Sequence, residues 1–125
     1  MLKLAASQLQ AISERLTNDF EEKTTRHLVS NFRAELSRHG VDGDVAAFVR
    51  KGIAEARSHG ITRPGDVRLY LECMLLLRPD FGDSPEFSWA SKVLREHGLS
   101  GTEKMDQIHD HLVFSVLLKK QEGGA

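Results

Sequence analysis

The side chains that could do chemistry in this chain are six histidines, a single cysteine and several paired carboxylates. Histidines at ligand spacing would hold a metal ion, or the iron of a haem seated between helices. Paired carboxylates would act as general acid and base where burial pushes their pKa values apart. Neither pattern assembles. His109 and His111 are two apart and diverge on a helix, and the chain has no His-Glu-x-x-His, Cys-x-x-Cys or EF-hand loop. His39, His59 and His97 each precede a glycine that ends a helical segment, where a partly cationic side chain meets the negative end of the helix dipole. His27, in the middle of the first helical segment, reads as a residue at the edge of the core, with the axial ligand of a haem as its alternative role.

The carboxylates are explained by local structure. Glu21 and Glu22 lie on a charged helical face, and Asp106 and Asp110 have helical spacing beside Lys104, the pattern of a solvated surface. Asp80 and Asp83 read as turn formers or caps. Cys73 lies among Leu, Met and Tyr, where a thiol behaves as a small buried hydrophobe. No Ser-His-Asp order and no phosphate-cradling glycine loop is present, so the sequence predicts neither an enzyme nor a bound cofactor or metal.

A loop rich in Asp, Pro and aromatics is the better candidate. Phe81, Phe87 and Trp89 cluster around Asp83, and large aromatics exposed together anchor protein partners. Phe81, Asp83, Phe87 and Trp89 are therefore the candidate partner-binding residues. The competing reading is that the aromatics pin the loop over the core.

Five helical segments must position these groups, and no segment has the alternating pattern of a strand. The first starts near Ser7 and carries Leu9, Ile12, Leu16, Phe20, Leu28, Phe32 and Leu36 to Gly40, with a possible break at Asn18 and Asp19 or at Thr24 and Thr25. The second opens on Asp44 and buries Val45, Phe48, Val49, Gly52, Ile53 and Ala56 before Gly60. The third, near residues 63–78, is capped by Thr62 and is apolar almost all round from Val67 to Leu77, with Arg68 and Glu72 as its narrow polar stripe. Gly82 is available for a left-handed turn in the loop that follows. The fourth starts at Ser84 and Pro85, turns Trp89, Ala90, Val93 and Leu94 inward and stops at Gly98. The fifth starts at Ser100 or Thr102 and runs through Met105, Ile108, Leu112, Val116 and Leu117 to about Lys120, leaving residues 121–125 as a frayed tail. The prediction is an all-α, single-domain bundle over residues 1–125 with the third helix at its centre.

Charge and composition narrow the partners. Seventeen Lys and Arg stand against 18 Asp and Glu for a formal net charge of -1, which gives no field toward nucleic acid or an anionic membrane. The most apolar run, residues 69–77, is interrupted by Glu72 and is too short to span a bilayer. With one cysteine and no signal-like apolar start, a cytoplasmic location is expected.

The residues around this helix carry a resemblance. Ala56-Arg57-Ser58-His59-Gly60-Ile61-Thr62, then Val67 with Leu69-Tyr70-Leu71 and Met74, then Pro79-Asp80-Phe81, Pro85 and Trp89-Ala90 resemble small all-α accessory proteins associated with type VI secretion VgrG/PAAR effector gene clusters. Phe20, His27-Leu28 and Lys104-Met105-Asp106 are weaker points of similarity. The chain departs from that pattern at Arg78, in place of a glycine, and at Ser88, in place of a proline. The resemblance implies a non-enzymatic adaptor or co-chaperone that binds a secretion effector or its chaperone and assists loading onto the spike. An immunity protein that silences a cognate toxin is the alternative within the same class, and a small-molecule or haem-binding helical sensor, resting on the apolar helix and His27, is the alternative from another.

Overall fold

The computed structural model describes the backbone of residues 6–123 and the side chains of residues 17–115. Within them the chain is all-α: α1 Ala6–Asn31, α2 Arg33–Arg38, α3 Val45–Ser58, α4 Pro64–Leu76, a 3-10 turn Pro85–Phe87, α5 Ser88–Leu94 and α6 Gly101–Gly123. No described helix is long and apolar enough to cross a membrane. The chain forms two compact units, Met1–Lys51 and Gly52–Ala125, with the boundary inside α3.

In the first unit the break falls at Phe32, not at either expected position. Thr24 is buried and Thr25 Oγ1 donates to the Glu21 carbonyl at 2.7 Å, a back-bond that the helix carries without interruption. At Phe32 the backbone swings to φ -130 and ψ 32. Phe32 N–H still reaches Leu28 O at 2.8 Å and Leu36 N–H reaches Phe32 O at 2.9 Å, so the hydrogen-bond ladder passes through the bend. Just before it, Asn31 Nδ2 donates to the His27 carbonyl at 2.9 Å, a side chain competing for an acceptor of the helix backbone. Leu28 and Leu36, on either side of the bend, are both buried. The expected cap at Ser7 and the contacts of Leu9, Ile12 and Leu16 lie outside the described side chains.

Helix ends follow sequence signals in most places. Gly40 and Gly60 take φ 68 and φ 78, the left-handed conformation in which a side chain is disfavoured. After each, the next amide folds back five residues, Val41 N–H to Leu36 O at 3.0 Å and Ile61 N–H to Ala56 O at 2.9 Å, closing a Schellman motif. Asp44 accepts the Ala47 amide at 3.0 Å as the cap of α3. Ser100 is the cap of α6: its hydroxyl accepts Glu103 N–H and the Glu103 carboxylate accepts Ser100 N–H, each at 3.1 Å, a reciprocal capping box. Thr102 instead donates to Asp66 Oδ2 at 2.6 Å, tying the first turn of α6 to the first turn of α4.

Four local expectations are corrected. Arg63, not Thr62, is the N-cap of α4, because Pro64 at the first helical position already fixes the backbone there and no side-chain cap bond forms. Gly82 is not in the left-handed region; it is small because a Cβ there would stand 3.1 Å from Leu94 Cδ1. The fourth predicted helix is a 3-10 turn followed by α5, which ends at Leu94 with Arg95 as its C-cap, so His97 does not sit at a helix end. At the other end of the chain α6 continues to Gly123, past the expected stop; Gly124 and Ala125 lie outside the described residues.

The core of the second unit is built on α4. Val67, Tyr70, Leu71, Cys73, Met74 and Leu75 are buried, Arg68 is exposed and Glu72 half-buried, which is the predicted narrow polar stripe; the helix ends at Leu76, short of the expected residue 78, and Leu76 is 47% exposed where burial was expected. Such a helix is stable only where neighbours cover most of its circumference. α6 packs against α4 and α5, and Gly52 on α3 lets Leu71 and Met74 approach the helix backbone closely. A second close approach lies at Gly101, where an added Cβ would collide with the Gly60 carbonyl oxygen and stand 2.8 Å from Ile61 Cα. Both obstacles are backbone and cannot rotate away, so Gly101→Ala should cost roughly 2 kcal/mol, read as a lower urea midpoint with an unchanged slope.

Candidate functional site

The loop between α4 and α5 is built from two successive turns. Phe81 N–H donates to Arg78 O at 3.0 Å, and Asp83 N–H to Asp80 O at 2.9 Å. Ion pairs decorate its outside: Arg78 Nε with Asp80 Oδ1 at 2.9 Å, Arg78 Nη1 with Glu86 Oε2 at 3.9 Å, and Arg95 Nη2 with Asp83 Oδ1 at 3.1 Å. All are solvent-exposed, so each adds little to stability.

Phe81 points inward. It is fully buried, with its ring 5.2 Å from that of Tyr70 and tilted by 50°. This corrects its placement among the partner-binding residues: a ring with no accessible surface anchors the loop to the core. The Tyr70 hydroxyl is held well above the ordinary phenol value by burial, then by the negative charge of Glu55, with Asp83 and a hydrogen bond to Glu55 adding to the effect. It stays protonated at any physiological pH and acts as a hydrogen-bond donor.

His59 lies beside this pair, its ring 6.2 Å from that of Tyr70. Burial lowers its pKa, the Lys104 charge lowers it further and Arg95 adds slightly, while Asp83 opposes them. The folded chain thus binds this proton less readily than the unfolded chain, whose imidazole titrates near 6.5. The stability contributed by neutral His59 is complete above that value and is lost as the pH falls through the lower folded value. The urea midpoint should therefore decline below pH 6.5, and His59→Gln should flatten that part of the profile; an unchanged slope in the variant would contradict the assignment.

Lys104 is the residue that the spacing argument misplaced. Read beside Asp106 and Asp110 as part of an exposed face, it is buried, with 8% of its surface accessible. Its ammonium donates to His59 O at 2.9 Å, just past the end of α3, and to Leu94 O at 2.8 Å, the last residue of α5. A cation thus sits at the negative ends of two helices at once. Its position was legible: residues 101, 104, 105, 108 and 112 share one stripe of α6, and Met105 and Ile108 on that stripe are buried.

The other reactive groups hold structural places. Cys73 is buried, and its thiol is pushed up to about 12 by burial and secondarily by the Glu72 charge, which removes its nucleophilic character. His27 stands on α1 within 3.3 Å of Asn31 Nδ2, its ring 6.0 Å from that of Phe32. His39 is the C-cap residue of α2, as its spacing predicted. Among the described residues no three of His, Cys, Asp and Glu are grouped for a metal ion.

The remaining candidates reach the surface. Asp83 is exposed, Phe87 and Trp89 are half-buried, and Trp89 stacks on His111 of α6 with ring centres 3.8 Å apart and planes 15° from parallel. Three residues beyond His111, and so on the same flank of the helix, Phe114 is 63% exposed, with Val113 beside it at 43%. The sequence reading missed His111 and Phe114 as surface groups, although Phe114 lies off the Met105, Ile108, Leu112 stripe. No family model matches the chain, and no curated protein or solved structure is significantly similar to it.

Proposed function

We propose that the chain is a non-enzymatic adaptor that binds a protein partner stoichiometrically and, in type VI secretion, helps hold an effector or its chaperone for loading onto the VgrG/PAAR spike. The observation that carries the binding part is the aromatic surface of α5 and α6, where the stacked Trp89 and His111 adjoin exposed Phe114. Rigid aromatics presented together are the residue types that dominate protein interfaces. A stack between two helices also holds Trp89 in place before a partner arrives, so less conformational freedom is lost on binding.

Among the described residues, Cys73, Tyr70, His59 and Lys104 are each engaged in packing or in holding helix ends, which supports a role in binding. The secretion part rests on the resemblance carried by residues 56–62 and 67–90. Affinity capture from a lysate of the native cells, read by mass spectrometry, should recover an effector, a chaperone or a spike protein. Recovery of none of these would contradict the adaptor role.

A further inference from the structure

We propose that the groove between the loop at Asp83 and the outer face of α5 binds an acidic segment of the partner protein, an inference that deepens the adaptor reading and rests on it. Ser88, Ser91, Lys92 and Arg95 recur at three- and four-residue spacing, which sets them on one face of α5 and its C-cap. With Asp83 and Ser84 opposite, they line an open cavity of about 400 Å³. The lining offers a guanidinium, an ammonium and several hydroxyl donors, the set that carboxylates seek.

A carboxylate already occupies part of that set. Arg95 Nη2 donates to Asp83 Oδ1 at 3.1 Å. The two side chains are 67% and 85% exposed, so solvent screens the pair and it exchanges readily. Asp83 keeps the guanidinium directed at the groove, and an incoming carboxylate takes its place on Arg95 while Lys92, exposed on the same face, meets a second. An acidic segment thus gains two exposed ion pairs, each screened as the Asp83–Arg95 pair is, against the loss of that one, so binding is weak and salt-sensitive. Asp83 is then a competitor of the ligand rather than a contact to it.

The test uses the full chain and a fluorescein-labelled peptide of alternating Glu and Gly, followed by anisotropy at low salt, with inorganic phosphate as a second probe. The wild type should bind the peptide saturably, and added salt should weaken it. Lys92→Gln with Arg95→Gln should weaken binding by about tenfold, and Asp83→Asn should tighten it by roughly fivefold. Equal binding by all variants, or no saturable binding, overturns the proposal, as does phosphate binding that the peptide fails to displace, which would assign the groove to phosphate esters. These surface substitutions should leave the circular dichroism spectrum and melting temperature unchanged. Partner capture that survives Lys92→Gln with Arg95→Gln removes the groove and leaves the adaptor reading standing. Peptide binding by a chain that captures no partner supports the groove and removes the adaptor reading.

Discussion

Lys104→Met should lower the stability of the folded chain by about 3 kcal/mol and its melting temperature by roughly 10 °C. Methionine keeps most of the length and the apolar stem, so the substitution isolates the ammonium. What it removes are two charge-assisted hydrogen bonds, to His59 O at 2.9 Å and Leu94 O at 2.8 Å. A hydrogen bond from a charged donor contributes roughly 1.5–3 kcal/mol, and the acceptors left behind at the ends of α3 and α5 lose a partner with little water to replace it. The cost of burying a charge is relieved at the same time, which holds the net loss near the lower part of the summed range. Lys92→Met, at an exposed position on α5, is the matched control and should fall within about 0.5 kcal/mol of wild type. Urea unfolding of the pair checks the assignment, and equal midpoints would contradict it.

The second large effect is expected at Phe81. Truncation to alanine removes a fully buried ring from its contact with Tyr70, leaves a cavity under the loop, and should cost about 3–5 kcal/mol. Phe81→Leu, which fills most of the space, should cost well under half as much. Phe114→Ala removes a ring that is 63% exposed and should change stability by no more than about 0.5 kcal/mol. The contrast between two phenylalanines separates the parts of the molecule that hold the fold from the parts available to a partner. A Phe81→Ala variant as stable as wild type would return that ring to the surface.

Much of this fold was legible because local rules governed it. The apolar circumference of α4, the Asp44 cap, the glycine stops at Gly40 and Gly60 and the start of α6 near Ser100 each follow from a few neighbouring residues acting through backbone geometry. The bend at Phe32 was not legible, because hydrogen bonds continue through it and no proline or glycine marks it. The length of α5 was misjudged for a local reason: Ser84 and Pro85 are good opening residues for either helix type, and here they open a 3-10 turn, so that α5 starts only at Ser88.

At the candidate site, the aromatic cluster was found by composition, but its division into core and surface depended on tertiary contacts. Phe81 and Trp89 are eight positions apart in one loop-and-helix segment, yet one packs on Tyr70 and the other stacks on His111. The place of Lys104 on the buried stripe of α6 was legible, but its partners were not, since they are carbonyls 45 and 10 positions away in sequence.

Quantitative affinity capture with wild type and Phe114→Asp side by side asks whether the aromatic surface of α5 and α6 holds the partner. Wild type should enrich a secretion effector, chaperone or spike protein in near-stoichiometric amount, and Phe114→Asp, folded and equally stable, should lose it. Equal recovery by both proteins, or no such partner with either, would contradict that assignment.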